Sequence, residues 1–304
     1  MVDISTPEAS TRLRAWIVAR LDPRAAKELG RRPGAAPELV IARFLTPATR
    51  ERLREAHVGY VDSTGNAYVA LNRPALFIET TGALTDPTPK PKGASLKGAK
   101  AGAVVRALCD FAPPVGVREL AERANVTPGY ASRLVKLLAE EALLEREDRG
   151  PVLTIDVPRL LRRWSEHYSF TQTNDTRMYL DARGPSNTVA RLASRGSRYA
   201  ITGSFGAAAL APVAAPRLLF VFVEDLEQVA EDLRLRPADK GANVVLAEPF
   251  DPVVYARAWE KDGVTYAAPS QLVADLLTSP GRGPNEAEEL LRWMLEQEDA
   301  WRVR

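Results

Sequence analysis

The chain has 304 residues, of which 45% are hydrophobic and 26% charged, an ordinary composition for two or three globular domains with separate cores. Its net charge of +2 excludes a uniformly basic nucleic-acid coat, so DNA contact would have to come from local clustering. The single cysteine, Cys109, excludes an intramolecular disulfide, and no apolar run approaches the about 18 residues of a membrane span. The N-terminus carries no signal-peptide pattern, so a cytoplasmic protein without a membrane partner is expected.

Residues 1–86 read as an α/β domain. An arginine-bearing amphipathic pattern predicts a helix over 11–29, and ELVIARF predicts a short strand. TPATRERLREAH predicts a helix with Thr46 as its cap and Pro47 at its first position. GYVDSTGNAYVAL predicts two strands joined by a turn over 63–66, and ALFIET a further strand. Residues 87–95, with Pro, Lys90 and Lys92, mark a basic linker.

Residues 96–156 carry the pattern of a winged helix-turn-helix. A first helix over 96–111 is followed by the turn APPVG and a short helix, VRELAERA, with Val117, Leu120, Ala121 and Ala124 at helical spacing. Asn125 and Val126 make a tight turn; Thr127 then caps a third helix with Pro128 at its first position. On that helix Ala131, Leu134, Leu138 and Ala142 form the buried face, while Gly129, Tyr130, Ser132, Arg133 and Lys136 face outward, as a helix entering a major groove requires. LLEREDRGPVLTI predicts two strands around residues 148–150, the wing. Tyr130, Ser132, Arg133 and Lys136 are the candidates for base readout. Lys97, Lys100, Arg146 and Arg149 are the candidates for phosphate contact, in line with the acid-free approach segment PTPKPKGASLKGAKAGAVVRAL. Cys109, on the apolar first helix, is expected to pack rather than react.

Residues 157–304 again read as α/β. Asp156 caps a helix over 157–170, and RYAITGSFGAAALA runs from a strand into a helix of small residues. RLLFVFVED, NVVLAEP and TYAAP predict strands. A helix near 225–233, another from Ser270, and the amphipathic NEAEELLRWMLEQ complete the pattern. The fold class expected is α+β, multidomain, with a winged helix-turn-helix between two α/β domains.

In succession, GYVDSTGNAYV, the winged helix, WSEHYSF, YAITGSFGAAALAP and PSQLVADLLTSPGRGPNEAEELLRWM resemble the AbiEi-type transcriptional regulators, the antitoxins of type IV toxin–antitoxin systems. The likeness runs from about residue 40 to 294. It implies an autorepressor that binds operator DNA through the winged helix, with a larger C-terminal domain for other contacts. It also implies a nucleotidyltransferase-like toxin encoded nearby. A homodimer is expected on separate grounds, because one winged helix reads only a short site.

Two enzymatic readings compete with this one. Asp62 at the end of one strand and Glu79 in a later one suggest a degenerate restriction-endonuclease core, but Thr81 stands where the lysine that positions the attacking water belongs. Asp62 is read more simply as the start of an Asp-x-x-Gly turn. Gly203-Ser204 suggests a degenerate nucleotidyltransferase, but Glu224 and Asp225 are adjacent and point to opposite faces of a strand. His57 and His167 are isolated, and neither a P-loop nor a GxGxxG motif is present. No catalysis, metal or cofactor is therefore expected. The alternative outside enzymology is a protein-interaction module whose winged helix binds a partner such as a toxin.

Overall fold

The computed structural model describes residues 1–5, 10–19, 21–30, 36–87, 95–147, 150–213 and 215–304. These fall into two compact units, residues 1–94 with 135–145, and residues 95–134 with 146–304. No helix among the described residues is long and apolar enough to cross a membrane.

In the first unit, β1 (Val2–Ser5) and β2 (Ser10–Leu13) form an antiparallel pair. A five-stranded mixed sheet follows, in the order β3 (Ala15–Val18), β4 (Leu39–Ala42), β5 (Gly59–Asp62), β6 (Ala67–Asn72), β7 (Ala75–Thr80). The first three strands run parallel and the last two are antiparallel additions. Successive residues of the central strands face opposite sides of the sheet, as the two-residue period demands. Val40, Ala42 and Tyr60 face a core with Leu21, Ala26, Leu45 and Leu53; Leu39, Ile41 and Val61 face a second one with Leu13 and Val69. The first of these cores is completed by helices α1 (Pro23–Gly30) and α2 (Pro47–Glu55).

The helix expected over 11–29 is a correction. Residues 10–18 form strands, and helix begins only at Pro23. Burial over Ser10–Leu13 follows a period of two, and Trp16, Ile17 and Val18 are aromatic and β-branched residues that suit a pleated surface. Pro23 fits at a helix start and nowhere deeper.

The next elements are α3 (Ala99–Asp110), α4 (Val117–Arg123), α5 (Pro128–Glu140), β8 (Leu144–Arg146) and β9 (Val152–Ile155). Helix α5 and strand β8 are divided between the two units. Then come α6 (Val157–Ser165) and the short α7 (Phe170–Thr173), where the sequence pattern predicts one helix over 157–170. The Asp156 carboxylate caps α6, accepting from the Arg159 N–H at 3.2 Å.

A seven-stranded mixed sheet organises the rest. It is built from β10 (Asp175–Leu180), β11 (Tyr199–Thr202), β12 (Leu219–Val223), β13 (Arg236–Pro237), β14 (Val244–Glu248), β15 (Trp259–Lys261) and β16 (Val264–Tyr266), in the order β13-β10-β14-β12-β11-β16-β15. Central strands β11 and β12 are buried at every position, which is why YAIT and LFVFV read as continuous apolar runs. The helices are α8 (Pro185–Ala193), α9 (Gly203–Ala208), α10 (Leu226–Asp232), α11 (Pro269–Leu277), α12 (Gly283–Glu296) and α13 (Glu298–Trp301). A Cβ on Gly206 of α9 would lie 2.3 Å from Leu272 Cδ2 of α11, so the small residues of GSFGAAALA serve close helix packing.

Candidate nucleic-acid interface

Helix α5 begins as its sequence requires. Thr127 Oγ1 accepts from the Tyr130 N–H at 3.3 Å, with Pro128 at the first helical position. Ala131, Leu134 and Leu138 are buried, as are Val135 and Ala139, while Gly129, Ser132, Arg133 and Lys136 are exposed. No acidic residue lies in the first turn. Tyr130 is half-buried, and burial raises its phenol pKa against the opposing pull of Arg133. Lys136 is 77% exposed and lies 4.0 Å from Glu140, an ion pair loose enough for phosphate to displace.

Helix α4 precedes α5 through Asn125, whose φ of 50° makes a turn that asparagine tolerates better than most residues. Leu120 and Ala121 are buried, and Arg123 lies over the Phe111 ring at 4.0 Å while pairing with Glu119. Arg118, at the start of α4, is exposed without a carboxylate partner among the described residues, a cation the sequence reading passed over. The connector before α4 pairs with β9: Val115 and Val152 exchange N–H···O bonds of 3.0 and 2.9 Å. The hairpin closes by the Glu147 N–H on the Pro151 carbonyl at 3.2 Å.

Of the phosphate-contact candidates, Lys97 and Lys100 are exposed at the start of α3. Arg146 is half-buried, its Nε donating to the Glu147 carbonyl at 3.2 Å. Arg149, Lys90 and Lys92, with most of the 87–95 linker, lie outside the described residues.

The carboxylates weighed for catalysis sit otherwise engaged. Buried Asp62 accepts five hydrogen bonds, from Leu45 N, Thr64 N and Oγ1, and Asn66 N and Nδ2. Burial pushes its pKa up, but these bonds outweigh it and hold the carboxyl below its ordinary value. Glu79 pairs with Arg54 at the surface. In the second unit Asp225 caps α10 through the Gln228 N–H, Glu224 lies 3.9 Å from Arg198, and the Ser204 hydroxyl donates to Glu286. Gly203 has φ 63°, and a Cβ there would lie 2.9 Å from the Phe220 ring, which fixes glycine at this strand-to-helix turn. Among the described residues no group of three His, Cys, Asp or Glu side chains is placed to hold a metal ion.

Sequence reading missed a buried polar network that fixes α3. Each of the five guanidinium N–H donors of Arg106 has an acceptor: Ser270 Oγ at 2.8 Å, Val253 O at 3.3 Å, Gln271 Oε1 at 2.7 Å, Asp110 Oδ2 at 3.0 Å and Ala256 O at 2.8 Å. Ser270 donates in turn to Asp110. Gln271 bridges onward to Tyr168 Oη at 3.0 Å and Asp275 Oδ1 at 2.9 Å, and Tyr168 and Thr202 both donate to Asp275. The Trp164 and Tyr168 rings stack at 4.6 Å, and Gly102 of α3 leaves only 3.0 Å between an added Cβ and the Trp164 ring. The signal was present in the sequence as Arg106 and Asp110 one turn apart on an otherwise apolar helix, with Ser270, Gln271 and Asp275 on another. Cys109, between these groups, is fully buried, and burial pushes its thiol well above the ordinary range.

No curated protein and no solved structure matches the chain. The family resemblance read in the sequence is shown over residues 153–296, from β9 to the end of α12, which fit the model of the AbiEi antitoxin, a transcriptional regulator of type IV toxin–antitoxin systems; GYVDSTGNAYV and helices α3 to α5 lie outside the matched residues.

Proposed function

We propose that the protein is a sequence-specific DNA-binding regulator, an antitoxin-like autorepressor, and that α3 to β9 form a winged helix-turn-helix. The observation that carries this reading is the two-faced α5, with Ala131, Leu134 and Leu138 buried and Ser132, Arg133 and Lys136 exposed. A helix of this kind enters a major groove, where Arg133 and Lys136 reach guanine edges while Tyr130 and Ser132 contact neighbouring groups. Lys97, Lys100 and Arg146 supply phosphate contacts. The match to a family of transcriptional regulators supports the regulatory role. The antitoxin character of the matched family favours a second component, a nucleotidyltransferase-like toxin encoded nearby. The protein acts by binding operator DNA, as a homodimer, and without catalysis.

The test is fluorescence anisotropy with DNA from upstream of the protein's own gene, against random DNA, across a salt series. Tight binding to the upstream DNA alone is expected. Arg133→Ala should lose about 1–3 kcal/mol at the preferred site and relax its specificity. Lys97→Ala should weaken binding on every sequence and flatten the salt slope. Equal affinity for both DNAs, or an equal loss on both for Arg133→Ala, would remove the base-readout role. Absence of DNA binding together with toxin capture through the same α5 face would favour an interaction module instead.

A further inference from the structure

At the edge of the seven-stranded sheet, where β10 ends beside β13, lies a cleft of about 460 Å³. Its walls come from the 181–183 turn, α8 and the end of α10, and four arginines line it: Arg183, Arg191, Arg234 and Arg236. Arg183, Arg234 and Arg236 are exposed, and no carboxylate or other acceptor engages their side chains among the described residues. Arginines nearby are treated differently: Arg177 pairs with Glu227, Arg195 with Asp232 and Arg198 with Glu224.

The two carboxylates at the cleft, Asp181 and Asp232, are already engaged. Asp181 is buried and accepts from the Arg183 N–H at 2.9 Å, Asn187 Nδ2 at 2.8 Å and Thr188 Oγ1 at 2.7 Å. It thereby fixes the turn that carries Arg183. Asp232 pairs with Arg195 at 2.5 Å. Arg191 donates to the Leu233 and Asp232 carbonyls, which orient its guanidinium without neutralising it. Like charges gathered in one concave site repel, and an anion between them relieves that repulsion. Arg234 has φ 52° just past α10, where the Leu235 N–H returns to the Ala230 carbonyl, a position that favours glycine. An arginine is strained there, and no side-chain bond among the described residues offsets the strain.

We propose that this cleft binds a small ligand bearing two linked phosphates, a diphosphate group. Guanidinium groups meet phosphate oxygens through paired N–H donors, and those of Arg183, Arg234 and Arg236 are free and open to solvent. The volume lies within the about 300–1,000 Å³ of small-molecule sites and exceeds what a single phosphate fills. Among the described residues no aromatic ring lines the cleft, so recognition falls on the charged group and not on ring stacking. The cleft shares no residue with the exposed face of α5, and this assignment does not depend on DNA binding.

The experiment is calorimetric titration of the full chain with pyrophosphate, free of divalent cations, with sulfate at equal ionic strength as the single-anion control. Saturable pyrophosphate binding is expected, at least about tenfold tighter than sulfate. Arg234→Gly puts the favoured residue at the left-handed position, so the melting temperature should be at least as high as the native chain's. The same variant should weaken pyrophosphate about tenfold or more, and Arg183→Ser, at an exposed position, should do likewise. Adenosine diphosphate separates the sources: binding no tighter than pyrophosphate assigns the diphosphate group alone, and tighter binding assigns a nucleotide. Pyrophosphate no tighter than sulfate would overturn the proposal, as would an unchanged affinity in either variant. Displacement of pyrophosphate by random duplex DNA would also overturn it, giving the cleft to nucleic acid.

Discussion

Asp275 carries a charge in a place that disfavours it. Burial pushes its carboxyl up from 3.8 to about 6, against the hydrogen bonds from Thr202, Tyr168 and Gln271. A carboxyl whose folded pKa lies above its unfolded one binds its proton more tightly in the folded state, so stability rises as pH falls from about 6 toward 3.8. At about 1.4 kcal/mol per pH unit, the charge at neutral pH costs on the order of 3 kcal/mol. Asp275→Asn keeps the shape without the charge. Its amide oxygen can accept from Tyr168 and Gln271 while its NH₂ faces Thr202 Oγ1. The variant should be more stable than the native chain at pH 7.5, with the advantage shrinking toward pH 4 in denaturant titrations. An advantage that stays constant on acidification would mean that Asp275 titrates normally. Asp62 is the contrasting case, since a carboxylate nearly as buried is held charged because five donors surround it.

Helix α3 shows the same physics spread over an element. Its Arg106 is 1% exposed, and such a cation is tolerable only with all its donors engaged. Arg106→Met should destabilise the fold by about 3–5 kcal/mol, because it leaves the Asp110 carboxylate buried without its partner. Adding Asp110→Leu should recover part of that loss. Equilibrium unfolding of both variants decides it, and a single variant within 1 kcal/mol of the native chain would show that the pair contributes little. The same elements show what the sequence made legible. Helices with a strong start signal, α2 with Thr46-Pro47, α5 with Thr127-Pro128 and α6 with Asp156, lie where their caps place them. The buried face of α5 follows from spacing alone. Strand β10 is not legible in the sequence because three of its six residues are exposed and only Tyr179 is buried, so no apolar run marks it. Helix α8 opens at Gly184-Pro185, which reads as a turn, and in the 11–29 segment the scattered arginines suggest the polar face of a helix although Arg12 and Arg14 stand two apart, as on a strand. Of the Arg106 network only the Arg106–Asp110 spacing is legible in the sequence; Ser270 and Gln271 lie 164 and 165 residues further on, and only folding brings them to it.

At the scale of the whole molecule, segments that look modular in sequence are joined by tertiary bonds. Residues 96–156 read as a self-contained domain, yet α3 within them is bonded to Ser270, Gln271, Val253 and Ala256. Parallel bridging of Phe111 with Val303, and the Ala112 N–H on the Val303 carbonyl at 2.6 Å, tie the turn after α3 to the end of the chain as well. Expressed alone, residues 96–156 should give no cooperative thermal transition by circular dichroism, whereas the full chain should melt sharply. A sharp melt of the fragment would show that these bonds are dispensable.

The Arg106 cluster therefore also bears on how such a protein can change over generations. Arg106 and Asp110 lie outside the family-matched residues 153–296, while Ser270 and Gln271 lie inside them. A recombination joint between the two would give the offspring chain a buried cation for which the residues at 270 and 271 came from another parent. Under the proposed function, new operator preferences would arise by point substitution on the outer face of α5, where Ser132, Arg133 and Lys136 are exposed, and not by exchange of the segment as a block.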